Sequence, residues 1–187
     1  MVTFSGPLRT RAVLLLAVAC SWLLSGCAPR PTMSVSPDFR PTGGVETVYV
    51  VPFASALVPE LFSETAFNDF VDLLSGRRRE TGITSFVILK EEVKEVDPAW
   101  LARQLYISGD IWSYVEDSGC CTTNIRVKAR AYLHEPGRKE PVAEIFVPLE
   151  AFFDHDRSTV ERERDRLART LAREFADRFA VILAPRR

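Results

Sequence analysis

Apolar and polar residues alternate along three stretches in the second half of the chain, and this period of two predicts β-strands. The stretches run over 105–115, 125–133 and 142–152. The first two are expected to form a long hairpin, and a turn at Pro136-Gly137 lets the third pair with the second. Because Pro148 has no backbone N–H to donate, the third strand is expected to be an edge strand or to contain a bulge.

The other elements follow from changes in this period. Residues 47–53 and 83–89 are apolar runs typical of strands, and apolar positions after Pro59 recur at helical spacing as far as Gly76. A second long helix is predicted near the carboxyl end, with apolar positions on one side and arginines on the other. This order predicts an α/β (α+β) fold, a two-layer sandwich in which two main helices pack on one face of a mixed sheet of about five strands, the first two parallel.

The amino-terminal 26 residues follow a different pattern. Arg9 and Arg11 precede an apolar run over 12–24, which is the build of a secretory signal peptide. About 13 apolar residues are too few for a transmembrane helix, which needs about 20. The run ends in Leu24-Ser25-Gly26-Cys27, which resembles the bacterial lipobox. Residues 1–26 are therefore interpreted as a lipoprotein signal peptide and Cys27 as the acylated residue, with a plain signal peptide as the alternative.

Lipidation predicts where the protein resides. Acyl chains on Cys27 would anchor it to a membrane without spanning it. Similarity to lipoproteins of two-membrane envelopes implies the outer membrane, facing the periplasm, because Ala28 rather than Asp follows the cysteine. Residues 27–44 are rich in proline and glycine and predict a tether that reaches on the order of 55 Å when extended. A single globular periplasmic domain is then expected over 45–187.

Charge argues against binding to polyanions. The 187 residues contain 24 basic and 25 acidic side chains, for a net charge of −1. Removal of residues 1–26 takes away Arg9 and Arg11 and makes the balance more acidic. Nucleic-acid-binding domains usually carry a marked basic excess, so no nucleic-acid partner is expected.

The sequence contains no recognisable catalytic motif. It has no nucleophile elbow, phosphate-binding loop, HExxH or paired CxxC motif. Asp154-His155-Asp156 places three potential ligands together, but consecutive residues point in different directions, which favours a polar loop over a metal site. The expected protein is therefore not an enzyme and needs no metal or cofactor.

Two adjacent cysteines lie where the tip of the predicted hairpin falls. Cys120 and Cys121 have no other partner in the mature chain once Cys20 is cleaved off and Cys27 is acylated. Three interpretations remain: a vicinal disulfide, intermolecular disulfides, or two reduced thiols. The vicinal bond is favoured in an oxidising compartment, although adjacent Cα atoms, about 3.8 Å apart, are closer than disulfides usually require.

The outward side of the predicted hairpin is the best candidate for a partner-binding face. It combines aromatic and basic side chains, which are enriched at protein interfaces. The alternative is that these residues form cross-strand pairs that stabilise a solvated face, or that they lie under a loop. The residues are Tyr106, Trp112, Tyr114, Arg126, Lys128 and Arg130.

Two short motifs resemble a group of envelope proteins. A strand ending in Val50-Val51-Pro52-Phe53 and a meander opening with Tyr106-Ile107-Ser108-Gly109-Asp110-Ile111 are similar to the group that contains the TolB amino-terminal domain, the curli-secretion lipoprotein CsgG and the peptidoglycan-synthase activator LpoB. The same outline is similar to lipoproteins that act as auxiliary subunits of lipid transporters. The resemblance implies a non-catalytic assembly or activator module.

The expected function is thus an outer-membrane-anchored lipoprotein that binds another envelope protein in assembly, activation or transport. The alternative is a periplasmic carrier of lipid or another small ligand, or an auxiliary subunit of a lipid transporter. A carrier would need an apolar cavity between sheet and helices, whereas a filled core favours the binding module. The residues expected to line such a cavity are Phe62, Phe70, Phe146 and Phe175.

Overall fold

The computed structural model describes residues 30–41, 46–90 and 95–185. The predicted signal peptide over 1–26 and Cys27 lie outside these ranges. Within them the strands are β1 (Thr32–Val35), β2 (Thr47–Val50), β3 (Ala54–Ser55), β4 (Ser85–Ile88), β5 (Tyr106–Ser118), β6 (Thr122–His134) and β7 (Ala143–Asp154). The helices are α1 (Glu60–Gly76), α2 (Arg78–Thr81), α3 (Pro98–Leu101) and α4 (Val160–Leu183). None of these helices is long and apolar enough to cross a membrane.

The strands form one mixed sheet in the order β1-β7-β6-β5-β2-β4, and the short β3 also pairs with β5. The predicted meander is confirmed, because β6 pairs antiparallel with both β5 and β7. The predicted parallel pair is also confirmed, since β2 runs parallel to β4 and α1 lies between them in sequence. The α/β sandwich expected from the sequence is therefore correct, with more strands than the five predicted.

Helices α1 and α4 bury their apolar sides in a core dominated by phenylalanine. Phe70 of α1 and Phe175 of α4 are fully buried, with ring centroids 6.1 Å apart. Phe53, which follows β2, completes the group at 5.5 Å from Phe70 and 5.6 Å from Phe175. Helix α4 begins after Thr159, whose hydroxyl accepts a hydrogen bond from the Arg162 backbone N–H. This side-chain cap satisfies one of the free donors at the start of the helix.

Part of the segment predicted as a tether belongs to the sheet. Thr32–Val35 form β1, which pairs antiparallel with the first residues of β7. A few residues later Phe39 is buried in the core. The strand gives partners to backbone groups that β7 would otherwise leave exposed at the sheet edge, which explains why a short, weakly apolar segment is ordered here. Beyond Phe146, β7 has no partner in β1, so Pro148 lies on an edge, as expected.

Strand β5 contains a bulge. Ile111 lies opposite Ala129, but Ser113 lies opposite Lys128, so Trp112 is the extra residue. An extra residue reverses the alternation of side chains beyond it, because the period of a strand is two. Counting in steps of two from the buried Ile107 predicts that Tyr114 faces away from the helices and Val115 toward them. The bulge reverses both, so that Tyr114 faces the helices and Val115 the other side.

Candidate functional site

The sheet face opposite α1 and α4, here called the open face, carries a group of aromatic and basic side chains. Lys128 Nζ lies 5.3 Å and Arg130 Cζ 5.4 Å from the centroid of the Trp112 ring. The Phe146 ring stacks on Trp112 at 6.5 Å and lies 5.9 Å from Arg130 Cζ. Both cations are therefore within reach of cation–π attraction. These four residues are called the aromatic–basic cluster.

The cluster continues into exposed apolar side chains. Trp112 is 49% exposed, Val115 42% and Phe152 68%. Val115 lies opposite Arg126, and Phe152 lies opposite Asn124, so both belong to the open face. Acidic residues share this face, because Glu144 pairs with Arg130 at 3.5 Å and Glu150 accepts a hydrogen bond from Asn124. The face is thus apolar and close to electrically balanced.

Tyr114 does not belong to the predicted partner-binding face, and that part of the prediction is wrong. The bulge at Trp112 turns Tyr114 toward the helices, where its ring packs edge-on against Phe62 at 5.4 Å. Its hydroxyl donates a hydrogen bond to Glu116 at 3.0 Å, and Glu116 accepts two hydrogen bonds from Arg164 of α4. Burial and the neighbouring Glu116 raise the pKa of Tyr114 to about 12. Tyr114 therefore helps to join β5 to α4.

Tyr106 lies on the open face but in a separate group. Its ring stacks on His134 with centroids 4.2 Å apart and planes 5° apart. Ser108 Oγ shares a hydrogen bond with His134 Nε2 at 3.0 Å. Burial lowers the pKa of His134 to about 4, so the imidazole is neutral at neutral pH. Of the six residues predicted as one face, the structure brings Trp112, Lys128 and Arg130 together, with Arg126 alongside.

His134 should make the fold less stable in acid. The unfolded chain binds a proton at this histidine near its ordinary pKa of 6.5, whereas the folded protein does so only near 4. Between these values the unfolded state holds more protons, so stability falls as pH drops from about 6.5 to about 4. Replacing His134 with Gln should flatten this part of a plot of urea midpoint against pH. An unchanged slope in the variant would show that His134 is not the responsible group.

Cys120 and Cys121 occupy the tip of the β5–β6 hairpin, as predicted. Both thiols are exposed and unbonded, and their Sγ atoms are 3.1 Å apart. The Cys121 carbonyl accepts a hydrogen bond from the backbone N–H of His155, which ties the tip to the end of β7. The vicinal disulfide remains a prediction.

The residues 154–156 are held by the hairpin rather than arranged as ligands. His155 Nε2 shares a hydrogen bond with Thr123 Oγ1 at 2.8 Å, and Asp154 pairs with Arg157 at 3.6 Å. Across the described ranges no three histidine, cysteine or acidic side chains are grouped closely enough to hold a metal ion.

An exposed apolar loop that sequence reasoning missed runs from β3 into the first turn of α1. Leu57 is 99% exposed and has a φ of 58°, in the left-handed region that leucine rarely adopts. Leu61, one turn further on, is 75% exposed. The run Ala54-Ser55-Ala56-Leu57-Val58-Pro59-Glu60-Leu61, here called the apolar loop, has a single charge. Its sequence gave no signal of exposure, because six of its eight residues are apolar and such residues are usually buried.

The cavity expected for a lipid carrier is not where the sequence placed it. Phe62, Phe70 and Phe175 are at most 2% exposed and pack within the core, while Phe146 lies on the opposite side of the sheet. A cavity of about 410 Å³ does occur elsewhere, at the end of the sheet where β5 begins. Its lining includes Phe39, Ile83, Arg103, Leu105, Glu135 and Leu183.

Comparison with known proteins identifies the fold but no family. No family model and no curated protein sequence matches the chain. Among solved structures, the PelC dodecamer from Paraburkholderia phytofirmans is similar with a TM-score of 0.54 and 16% identity, covering 84% of this chain and 98% of that one. A variant of the same dodecamer has a TM-score of 0.53 at 16% identity, covering 83% and 98%.

The solved structure of a bacterial lipoprotein is similar to this chain at a lower TM-score. GNA1162 from Neisseria meningitidis has a TM-score of 0.39 and 10% identity, covering 70% of this chain and 98% of that one. The two PelC similarities concern the fold alone. The resemblance to the TolB, CsgG and LpoB group stays a prediction.

Proposed function

We propose that this chain is a lipoprotein of the bacterial outer membrane, acylated at Cys27, whose periplasmic domain is a non-catalytic module that binds another envelope protein. The lipobox-like Leu24-Ser25-Gly26-Cys27 supports the anchor. The matched PelC structures are dodecamers, which makes a further copy of this chain one of the envelope proteins to consider.

The apolar loop is the observation that carries the binding role. The side chains of Leu57 and Leu61 are exposed to water, which is unfavourable for apolar surface. Covering them with an apolar surface of a partner would lower the free energy. The left-handed backbone at Leu57 costs about 1 kcal/mol for a residue other than glycine. Leu57 thus carries two costs, its exposure and its left-handed backbone. Contact of its side chain with a partner protein would offset both.

A filled core favours the binding module over the lipid carrier. The rings of Phe53, Phe70 and Phe175 occupy the space between sheet and helices at contact distances of 5.5 to 6.1 Å. A carrier of an acyl chain would need an enclosed apolar volume at that place.

Replacing Cys27 with Ser should release the protein from membranes. The acyl chains form on this thiol, and each buried methylene contributes about 0.8 kcal/mol to anchoring. The measurement is the distribution of the protein between membrane and soluble fractions of cells. Cys120→Ser is the matched control and should stay with the membranes. Retention of the Cys27 variant in the membrane fraction would contradict the lipoprotein assignment.

The partner should be trapped through the apolar loop. A photo-crosslinking amino acid at Leu61 in intact cells should give a covalent adduct with an envelope protein, while the same label at Val181, which is 67% exposed on α4, should not. Leu57→Gly should reduce the adduct at Leu61 without lowering the urea midpoint, because glycine adopts positive φ freely. No adduct at Leu61, or equal adducts at both positions, would argue against the loop as the binding site.

A further inference from the structure

The proposed lipid anchor on Cys27 is close in sequence to β1, the strand at one edge of the sheet. Cys27 precedes Thr32, the first residue of β1, by five residues, which span at most about 18 Å when fully extended. Thr32 lies opposite Phe146, and Phe146 stacks on Trp112. Acyl chains on Cys27 therefore enter the bilayer within a short distance of the aromatic–basic cluster. The tether of 18 residues expected from the sequence would have allowed the domain to stand much further away.

We propose that the open face around Trp112 lies on the membrane, with its aromatic side chains at the boundary between lipid headgroups and acyl chains. This inference rests on the proposed acylation of Cys27. Trp112 and Phe152 are the large exposed aromatic side chains of this face. Such rings partition to the interface, where indole keeps its N–H near polar groups while its rings leave water.

The charges of the face fit the same position. Lys128 and Arg130 lie over the Trp112 ring, so their long apolar stems can remain near the acyl boundary while their charged ends reach lipid phosphates. Glu144 and Glu150 lie on the same face, and Glu144 pairs with Arg130. A balanced face of this kind suits zwitterionic headgroups, such as phosphatidylethanolamine, better than a strongly anionic surface.

Because the segment between Cys27 and β1 is short, weak contacts are enough to hold the open face on the membrane. A surface held within about 18 Å of an anchored residue meets the bilayer at an effective concentration of roughly millimolar or more. A few exposed aromatic and apolar side chains can then keep the face on the membrane, although they would not recruit an unanchored domain.

The membrane contact leaves the apolar loop accessible. In the sheet, β7 and β6 separate β1 from β5, and β3 lies beside β5. β3 pairs with β5 at Asp110 and Ile111, next to Trp112, but the loop leads from β3 into α1, which packs on the other face of the sheet. One domain can thus lie on the bilayer with its open face and bind a partner protein with its apolar loop.

Tryptophan quenching tests this arrangement in the mature acylated protein. Trp100 and Trp112 are the tryptophans of the mature chain, so Trp100→Phe leaves Trp112 as the fluorescent reporter. The protein is reconstituted in vesicles of phosphatidylethanolamine with some phosphatidylglycerol, with or without bromine on the acyl chains. We expect a blue shift of Trp112 emission on reconstitution and a loss of emission with brominated lipid. Trp100, observed in Trp112→Phe, should be quenched less, because it is half-buried against Tyr49 of β2, on the side of the sheet away from β1 and the anchor.

Two further variants separate membrane contact from general effects of reconstitution. Phe152→Ser should reduce the quenching of Trp112, because it removes another exposed apolar side chain that helps to hold the same face on the bilayer. Leu61→Ser removes a similarly exposed apolar side chain from the apolar loop and should leave the quenching unchanged. Equal effects of the two variants would contradict a defined membrane face.

Flotation of the vesicles distinguishes the two proposals. Protein that floats with the vesicles while Trp112 remains unquenched would overturn the membrane face and leave the lipid anchor intact. Protein that fails to float would overturn the anchor and, with it, the inference that depends on it. Trp112 that is unquenched in pure vesicles but becomes shielded when an envelope protein is added would also overturn the inference, because the face would then bind protein.

Discussion

Replacing Phe175 with Ala is expected to reduce the free energy of unfolding by about 3–5 kcal/mol. Phe175 is fully buried, and its ring contacts those of Phe53 and Phe70, which come from two other parts of the chain. Alanine would remove this apolar volume and leave a cavity that the helix and the sheet can close only in part. Since domains of this size are stable by about 5–15 kcal/mol, the loss would be a large fraction of the total.

Urea unfolding of the Cys27→Ser protein, which needs no detergent, measures this loss. Phe152→Ala is the control, because the same chemical change at a 68% exposed position should cost less than about 1 kcal/mol. A similar loss in both variants would show that Phe175 is not at the centre of the core.

Replacing Gly109 with Ala is expected to destabilise the protein by about 1–3 kcal/mol, and replacement with Val by more. A Cβ atom at this position would lie 2.8 Å from Cδ1 of Phe53 and 2.9 Å from the backbone oxygen of Arg130. The ring could move, but the Arg130 carbonyl belongs to β6 and cannot move without disturbing its pairing with β5. Glycine at 109 thus allows Phe53 to pack directly on the sheet.

Thermal unfolding of Gly109→Ala, alone and combined with Phe53→Leu, separates the two clashes. The double variant should lose less stability than the sum of the single variants, because the smaller side chain makes room for the new methyl group. Gly76→Ala, at the end of α1, is the control and should be neutral or slightly stabilising, since nothing lies within 4 Å of the added atom. Strict additivity in the double variant would contradict direct contact between Phe53 and position 109.

The sequence predicted those strands and helices in which buried and exposed positions recur with a regular period. Strand β6 keeps a strict alternation over its 13 residues, β7 alternates except around Pro148, and α4 keeps one apolar stripe. Strand β1 could not be predicted in this way. Its residues Thr32–Val35 are exposed or half-buried, and they are ordered by backbone pairing with β7, more than a hundred residues away. Such pairing depends on the whole fold and leaves little trace in local composition.

The candidate site was predicted in part, and the bulge explains the difference. Trp112, Lys128 and Arg130 are neighbours because the strand pairing holds as far as Ile111. Beyond that point the sequence Trp112-Ser113-Tyr114 fits either phase of the alternation, so the inward turn of Tyr114 cannot be deduced from it. The exposure of Leu57 was missed for a related reason, because an apolar residue next to a predicted strand is usually buried.

The pairing of β1 with β7 also affects the order in which the strands of the sheet come together. Thr32 pairs with Phe146, which follows it by more than a hundred residues. Contacts so distant in sequence form late, because closing a long loop costs conformational entropy. A chain that is exported amino terminus first, as the proposed lipoprotein would be, has β1 outside well before β7. If Cys27 is acylated as proposed, we expect β1 to be still unpaired at that stage and the edge of the sheet to close only after acylation.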